Sequence, residues 1–145
     1  MKDGTILLVE DSPDDEVLIL RALKKANVTN KIDIVRDGAE ALDYVFGAGA
    51  YDGRDVAHPT VTLLDLKLPK IDGLEVLKRL RGDPRTKANP VVILTSSDEH
   101  EDLIRCYNLG VNSYVRKPIE FGQFSETVAK LGLYWLLLNE PPPHE

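Results

Sequence analysis

Apolar residues gather in short runs along this chain, and between the runs they recur every three or four positions. Thr5-Ile6-Leu7-Leu8-Val9, Val61-Thr62-Leu63-Leu64 and Pro90-Val91-Val92-Ile93-Leu94 are continuous apolar runs with β-branched members. They predict strands buried on both faces. Lys31-Ile32-Asp33-Ile34-Val35 alternates, as a strand at or near a sheet edge does, and Ser113-Tyr114-Val115-Arg116 predicts a fifth strand. The helical periods lie between these runs. Ser12-Pro13-Asp14-Asp15 reads as a helix start, with Ser as cap, Pro at the first helical position and acids in the first turn. Val17, Leu18, Leu20, Ala22 and Leu23 give that helix a broad apolar side, and Asn27 ends it. Asp37 caps a second helix with Glu40 at capping-box spacing; Ala41, Leu42, Val45 and Phe46 follow. Asp72 and Glu75 repeat that signature before a helix from Leu74 to Arg81, broken by Gly82-Asp83-Pro84. Its core pairs are Leu74 with Leu77 and Val76 with Leu80. Asp98 opens a fourth helix through Leu103, Ile104 and Leu109, stopped by Gly110. A last helix runs from about Ile119 past Leu131, with Phe121 and Phe124 in the core.

Five strands alternating with five helices predict an α/β fold, a parallel sheet covered on both faces. Between Gly47 and Pro59 lies a long loop, polar at Asp52, Arg54 and Asp55. It reads equally as a tolerated surface insertion or as a loop that touches a partner.

At 145 residues the chain is expected to form one domain, 1–145, with a core over about 4–131 and an extension with a Pro-rich tail over about 132–145. Asp and Glu total 24 against 18 Lys and Arg, a net charge of −6, which argues against direct nucleic-acid binding. The first apolar run is far too short for a signal peptide or a membrane span. Cys106 is the only cysteine, so an internal disulfide is excluded. It reads as a small packing residue in a reducing, cytoplasmic compartment. His58, His100 and His144 are scattered without metal-ligand spacing and read as exposed spectators.

The chemistry lies at the strand ends. Strand one ends on Glu10-Asp11, strand three on Asp65, strand four on Thr95 and strand five on Lys117. In a parallel sheet these ends share one edge, where open α/β sheets hold their ligands. Three carboxylates, a hydroxyl and an ammonium therefore converge on one crevice. Two carboxylates about 4 Å apart repel by roughly 4 kcal/mol at an effective dielectric of 20. Lys117 offsets part of this, and a divalent cation with oxygen preference, Mg²⁺, offsets more. Asp65 can then act as a nucleophile on a phosphoryl group, with metal and ammonium neutralising the developing charge. Thr95 is placed to hydrogen-bond that group. Asp14 and Asp15 read as helix-start charges rather than ligands.

With Glu10-Asp11, Asp65 followed by Pro69 and Asp72-Gly73, Thr95, Tyr114 and Lys117-Pro118 in this order and spacing, the chain resembles the receiver domain of two-component response regulators. The resemblance covers about residues 4–131. It implies a flavodoxin-like fold with sheet order 2-1-3-4-5. It implies Asp65 as the acceptor of a phosphoryl group from a sensor histidine kinase, in a signalling protein rather than a turnover enzyme. It implies Mg²⁺ held by Asp11, Asp65 and the backbone carbonyl of Lys67, with Glu10 helping through water. It implies Lys117 as the phosphate's counter-ion before a cis bond to Pro118, and Thr95 with Tyr114 as a switch pair. Ser96 stands where many members have Ala. The long loop, the tail and the lack of an output domain are similar to single-domain receivers that partner phytochrome-type kinases. Two other readings stay open on the residues alone. An aspartyl-nucleophile phosphatase carries Asp-x-Asp after strand one, where this chain has Glu10-Asp11-Ser12-Pro13. A flavodoxin-like cofactor binder carries a Ser-, Thr- and Gly-rich phosphate loop there, which Glu10 and Asp11 oppose.

The last helix adds an expectation of its own. At ~100° per residue, Phe124, Val128, Leu131, Trp135 and Leu138 share one side and can cover the sheet. Leu133, Leu136 and Leu137 fall roughly opposite. An apolar patch left in solvent marks an interface, and pairing of identical last helices in a homodimer buries it.

Overall fold

Alternate residues of the central strands feed two separate hydrophobic layers, one on each face of a single parallel sheet. The strands are β1 (Ile6–Val9), β2 (Ile32–Val35), β3 (Val61–Leu64), β4 (Val91–Thr95) and β5 (Ser113–Arg116). They are ordered β2-β1-β3-β4-β5, with all four pairings parallel. This computed structural model describes residues 4–96 and 99–117, with Gln123, Glu126, Thr127 and Lys130 beyond them. Four α-helices lie among the described residues: α1 (Pro13–Lys25), α2 (Gly38–Phe46), α3 (Gly73–Gly82) and α4 (His100–Asn108). Most of the expected fifth helix falls outside the described residues, as do Phe121 and Phe124. The four described residues there are helical, and the Thr127 hydroxyl donates to the Gln123 carbonyl at 2.9 Å.

On one face Leu7, Val9, Leu64, Val91 and Ile93 meet the buried sides of α2 and α3 and Cys106 of α4. On the other Ile6, Leu8, Leu63, Val92 and Leu94 meet Ile19, Ala22 and Leu23 of α1. The period-two alternation of a strand thus serves both layers, which is why β1, β3 and β4 read as unbroken apolar runs.

Two helix faces differ from expectation. In α1 the core stripe is Ile19, Ala22 and Leu23, at i, i+3 and i+4, while Val17 is 50% exposed. In α4 Ile104 and Tyr107 face solvent, and the buried positions are Asp102 and Cys106, one turn apart. Burial pushes the Cys106 thiol up to about 11, with the charge of Asp102 adding to it, so the residue packs without thiolate chemistry. The helix starts late, at His100, with Glu99 in the cap position and no side-chain cap bond; Asp98 lies outside the described residues.

The other caps form as read. Ser12, Asp37 and Asp72 accept the backbone N–H of Asp15, Glu40 and Glu75 at 3.3, 2.7 and 2.9 Å. Glu75 turns outward to Arg79 at 3.0 Å, leaving its capping box half made. Helix α1 stops one residue early: Ala26 is its C-cap and Asn27 follows in the left-handed region at φ 61°.

The loop from Gly47 to Pro59 is pinned down. It contains a single 3-10 turn, Gly49–Tyr51. The Arg54 guanidinium stacks over Tyr44 at 4.6 Å and Tyr51 at 5.3 Å, and the Ala57 N–H donates to the Val45 carbonyl at 2.8 Å. His58 is exposed as read but not idle: Nδ1 lies 3.0 Å from Asn89 Oδ1.

Candidate functional site

Glu10, Asp65 and Lys117, at the sheet's carboxyl edge, are each held by one more rung of backbone hydrogen bonding past their strands, and Thr95 is the last residue of β4. The Glu10 N–H donates to the Val35 carbonyl at 3.1 Å, that of Asp65 to Val9 at 3.2 Å, and that of Lys117 to Thr95 at 2.7 Å. Register thus carries Glu10, Asp65, Thr95 and Lys117 to one edge, as the strand pattern predicts. Glu10, Asp65 and Thr95 are buried, at 1%, 6% and 0% exposure, while Asp11 is exposed. The loop after β3 owes its path to Gly73. A Cβ there would run into the Asp65 carbonyl oxygen, so the start of α3 packs directly beneath the site.

Lys117 ties the site together. Its ammonium donates to Glu10 Oε1 at 2.7 Å, Asp15 Oδ2 at 2.7 Å and Asp65 Oδ2 at 3.1 Å. Burial alone would lower its proton affinity. The bonds to Asp15 and Glu10 and the charge of Asp65 outweigh that and hold it above the ordinary lysine value, so it stays an ammonium. Asp15, expected to be only a helix-start charge, is therefore part of the site. Its place on the opening turn of α1, beside the end of β1, is the signal that could have found it. The other oxygens are held by backbone: the Ser12 N–H donates to Glu10 Oε2 at 3.2 Å, and the Lys67 N–H approaches Asp65 Oδ1 at 3.4 Å. The Lys67 side chain turns away to Asp102 on α4, at 3.6 Å. Tyr114 is half-buried on β5 and packs against the α2–α3 layer. Pro118, Leu133, Leu136 and Leu137 lie outside the described residues.

Glu10, Asp11 and Asp65 can each offer an oxygen within 4.8 Å of the others. An all-carboxylate donor set with one exposed member suits a hard divalent cation such as Mg²⁺ or Mn²⁺. Three carboxylates, Glu10, Asp15 and Asp65, contact the one ammonium and Asp11 stands beside Glu10 and Asp65, so the crevice has negative charge to spare for a cation.

Burial pushes the Glu10 carboxyl up to about 7, with the contact to Lys117 opposing and the charge of Asp65 assisting. The sign of the consequence follows from linkage. Between the ordinary value of 4.5 and about 7 the folded chain holds a proton that the unfolded chain has lost. Without metal, this contribution to stability is full below pH 4.5 and fades as pH rises to about 7. At 1.36 kcal/mol per pKa unit it is on the order of 3 kcal/mol. Urea denaturation in chelator is expected to show Glu10→Gln flattening the wild-type decline across that window; parallel curves would refute it.

A family model, the response regulator receiver domain, matches residues 6–129. Among curated proteins, the probable methanogenesis regulatory protein FilR2 of Methanothrix harundinacea is 43% identical over 137 residues, covering 94% of this chain and 86% of that one. The crystal structure of the Mn²⁺-bound form of response regulator Rcp1 superposes with a TM-score of 0.89 at 36% identity, covering 97% of this chain and 99% of that one. Response regulator Rcp1 of Synechocystis is 38% identical over 131 residues, covering 90% of this chain and 88% of that one. The phosphorylated cyanobacterial phytochrome response regulator RcpA superposes at 0.88 with 38% identity and the same coverage.

Proposed function

The chain belongs to the response regulator receiver domain family, and from that premise we propose that it is a stand-alone receiver over 1–145, taking a phosphoryl group from a sensor histidine kinase onto Asp65 and changing its partner binding in response. The observation that carries this reading is the buried Asp65 carboxylate, 3.1 Å from the Lys117 ammonium and grouped with Glu10 and Asp11. An Asp65 oxygen forms the bond to phosphorus as the donor's bond breaks, and the donor leaves with the electron pair. Lys117 neutralises charge on the phosphoryl oxygens, and the Thr95 hydroxyl donates to one of them. Asp11, Asp65, the Lys67 carbonyl and Glu10 would hold Mg²⁺, which when bound would supply further neutralisation of those oxygens. Thr95 and Tyr114 form the switch pair. The domain is a signalling phosphoacceptor of the cytoplasm that catalyses its own phosphorylation and dephosphorylation. A phytochrome-type kinase is the proposed donor, supported by the likeness to RcpA. Incubation with acetyl phosphate and Mg²⁺, followed by mass mapping, is expected to place one phosphoryl group on Asp65; label elsewhere rejects the reading.

The same proposal includes a homodimer through Leu133, Leu136 and Leu137, supported by their helical phase in the sequence. With full burial of a leucine worth roughly 1.5–3 kcal/mol, Leu136→Glu with Leu137→Glu is expected to give a folded monomer that still accepts phosphate. A wild-type monomer by sedimentation equilibrium at tens of micromolar, phosphorylated or not, would sink the dimer.

A further inference from the structure

We propose that Asp15 is a positioning residue that competes with the phosphoryl group for Lys117: it holds the ammonium in the unphosphorylated chain and has to release it when Asp65 is modified. The inference rests on the reading of Asp65 as phosphoacceptor. An ammonium has three N–H donors, and all three are engaged here, by Glu10 at 2.7 Å, Asp15 at 2.7 Å and Asp65 at 3.1 Å. For Lys117 to donate to a phosphoryl oxygen, one of these partners must yield. Glu10 is buried and is tethered by the Ser12 N–H at 3.2 Å, so it cannot be released into water when the ammonium turns to the phosphoryl group. Asp65 carries the phosphoryl group itself. Asp15 is the member that can be rehydrated: its side chain is 32% exposed and it stands on the first turn of α1. Its contact to Lys117 is also shorter than the one from Asp65, so in the unmodified chain it is the stronger claimant.

Transfer brings phosphoryl oxygens into a crevice already lined by carboxylates. With acetyl phosphate as donor, an Asp65 oxygen forms the O–P bond while the P–O bond to acetate breaks, and acetate departs with the electron pair. The charge on the three remaining oxygens needs the Lys117 donor that Asp15 occupies. Asp15 therefore slows acceptance of the phosphoryl group and weakens its hold once in place.

Three full-length variants test this at a fixed Mg²⁺ concentration. Asp15→Asn keeps shape and removes charge. Its initial rate of acyl-phosphate formation from acetyl phosphate is expected to rise by about fivefold, the upper end of what a solvent-reachable ion pair is worth. Its affinity for beryllofluoride, which occupies the phosphoryl position, should rise by a similar factor. Asp15→Glu is expected to stay near wild type. Asp14→Asn removes the same charge one residue away, where no bond to Lys117 exists, and is expected to change neither measurement. Should Asp15→Asn melt early, Asp15→Ser supplies a second chain lacking the carboxylate, with the same rise expected in beryllofluoride affinity. Label on Asp65 in the wild type, with an unchanged or slower Asp15→Asn, overturns the inference and leaves the phosphoacceptor reading standing. Equal acceleration by Asp14→Asn overturns it too, since a general charge effect would then suffice. Wild type that takes no label on Asp65 rejects the phosphoacceptor reading, and this inference with it.

Discussion

Asp65→Asn is expected to take up no phosphoryl group from acetyl phosphate or from a kinase, a loss of at least about a thousandfold in rate. Asparagine fills the same volume, but its amide oxygen is no nucleophile at phosphorus and carries no charge for a cation. The fold should survive the change. The Asp65 backbone N–H donates to the Val9 carbonyl at 3.2 Å whatever the side chain, and an asparagine amide oxygen can still accept from Lys117 or the Lys67 N–H in place of the carboxylate. Lys117 keeps Glu10 and Asp15, both at 2.7 Å, so no charge is left buried and unpaired. Removing one of four crowded carboxylates also relieves repulsion, and the metal-free variant is expected to melt no lower than wild type. Mass spectrometry and thermal melting on the same samples separate the outcomes. Undiminished label on a folded Asp65→Asn chain would move the acceptor elsewhere.

The second large effect is stabilisation by a divalent cation. Glu10, Asp11 and Asp65 converge within 4.8 Å, and an ion that binds the folded chain alone adds RT ln(1 + [L]/Kd), about 2.7 kcal/mol at a hundredfold excess over Kd. For a domain of this size that is a rise of roughly 5–10 °C in melting temperature. Asp11→Ala is the sharpest test. Asp11 is exposed and makes none of the Lys117 contacts, so its removal disturbs the resting network least. The variant should fold as well as wild type in chelator and lose most of the shift in Mg²⁺ or Mn²⁺. A wild-type melting temperature indifferent to both ions would rule out the metal site.

Local pattern was enough for the five strands, their parallel arrangement and the meeting of Glu10, Asp65, Thr95 and Lys117 at one edge. Strand ends are marked by where an apolar run stops, and parallel pairing places all those stops together. The caps at Ser12, Asp37 and Asp72 were equally legible, because a cap bonds its own helix three residues on. Other features were decided only by tertiary packing. A helical period says which residues share a face, but several faces of α1 are apolar, and the sheet chose Ile19, Ala22 and Leu23 over Val17. In α4 it left Ile104 in solvent and buried Asp102, whose partner Lys67 comes from the loop after β3. Asp15 is the clearest case. It looks like any acid on a helix's first turn until Lys117, 102 residues later, arrives beside it. Local signals have a range of about one helical turn or one strand pair, whereas a charge is assigned its partner by the sheet order, which brings β5 and α1 to the same edge of the fold.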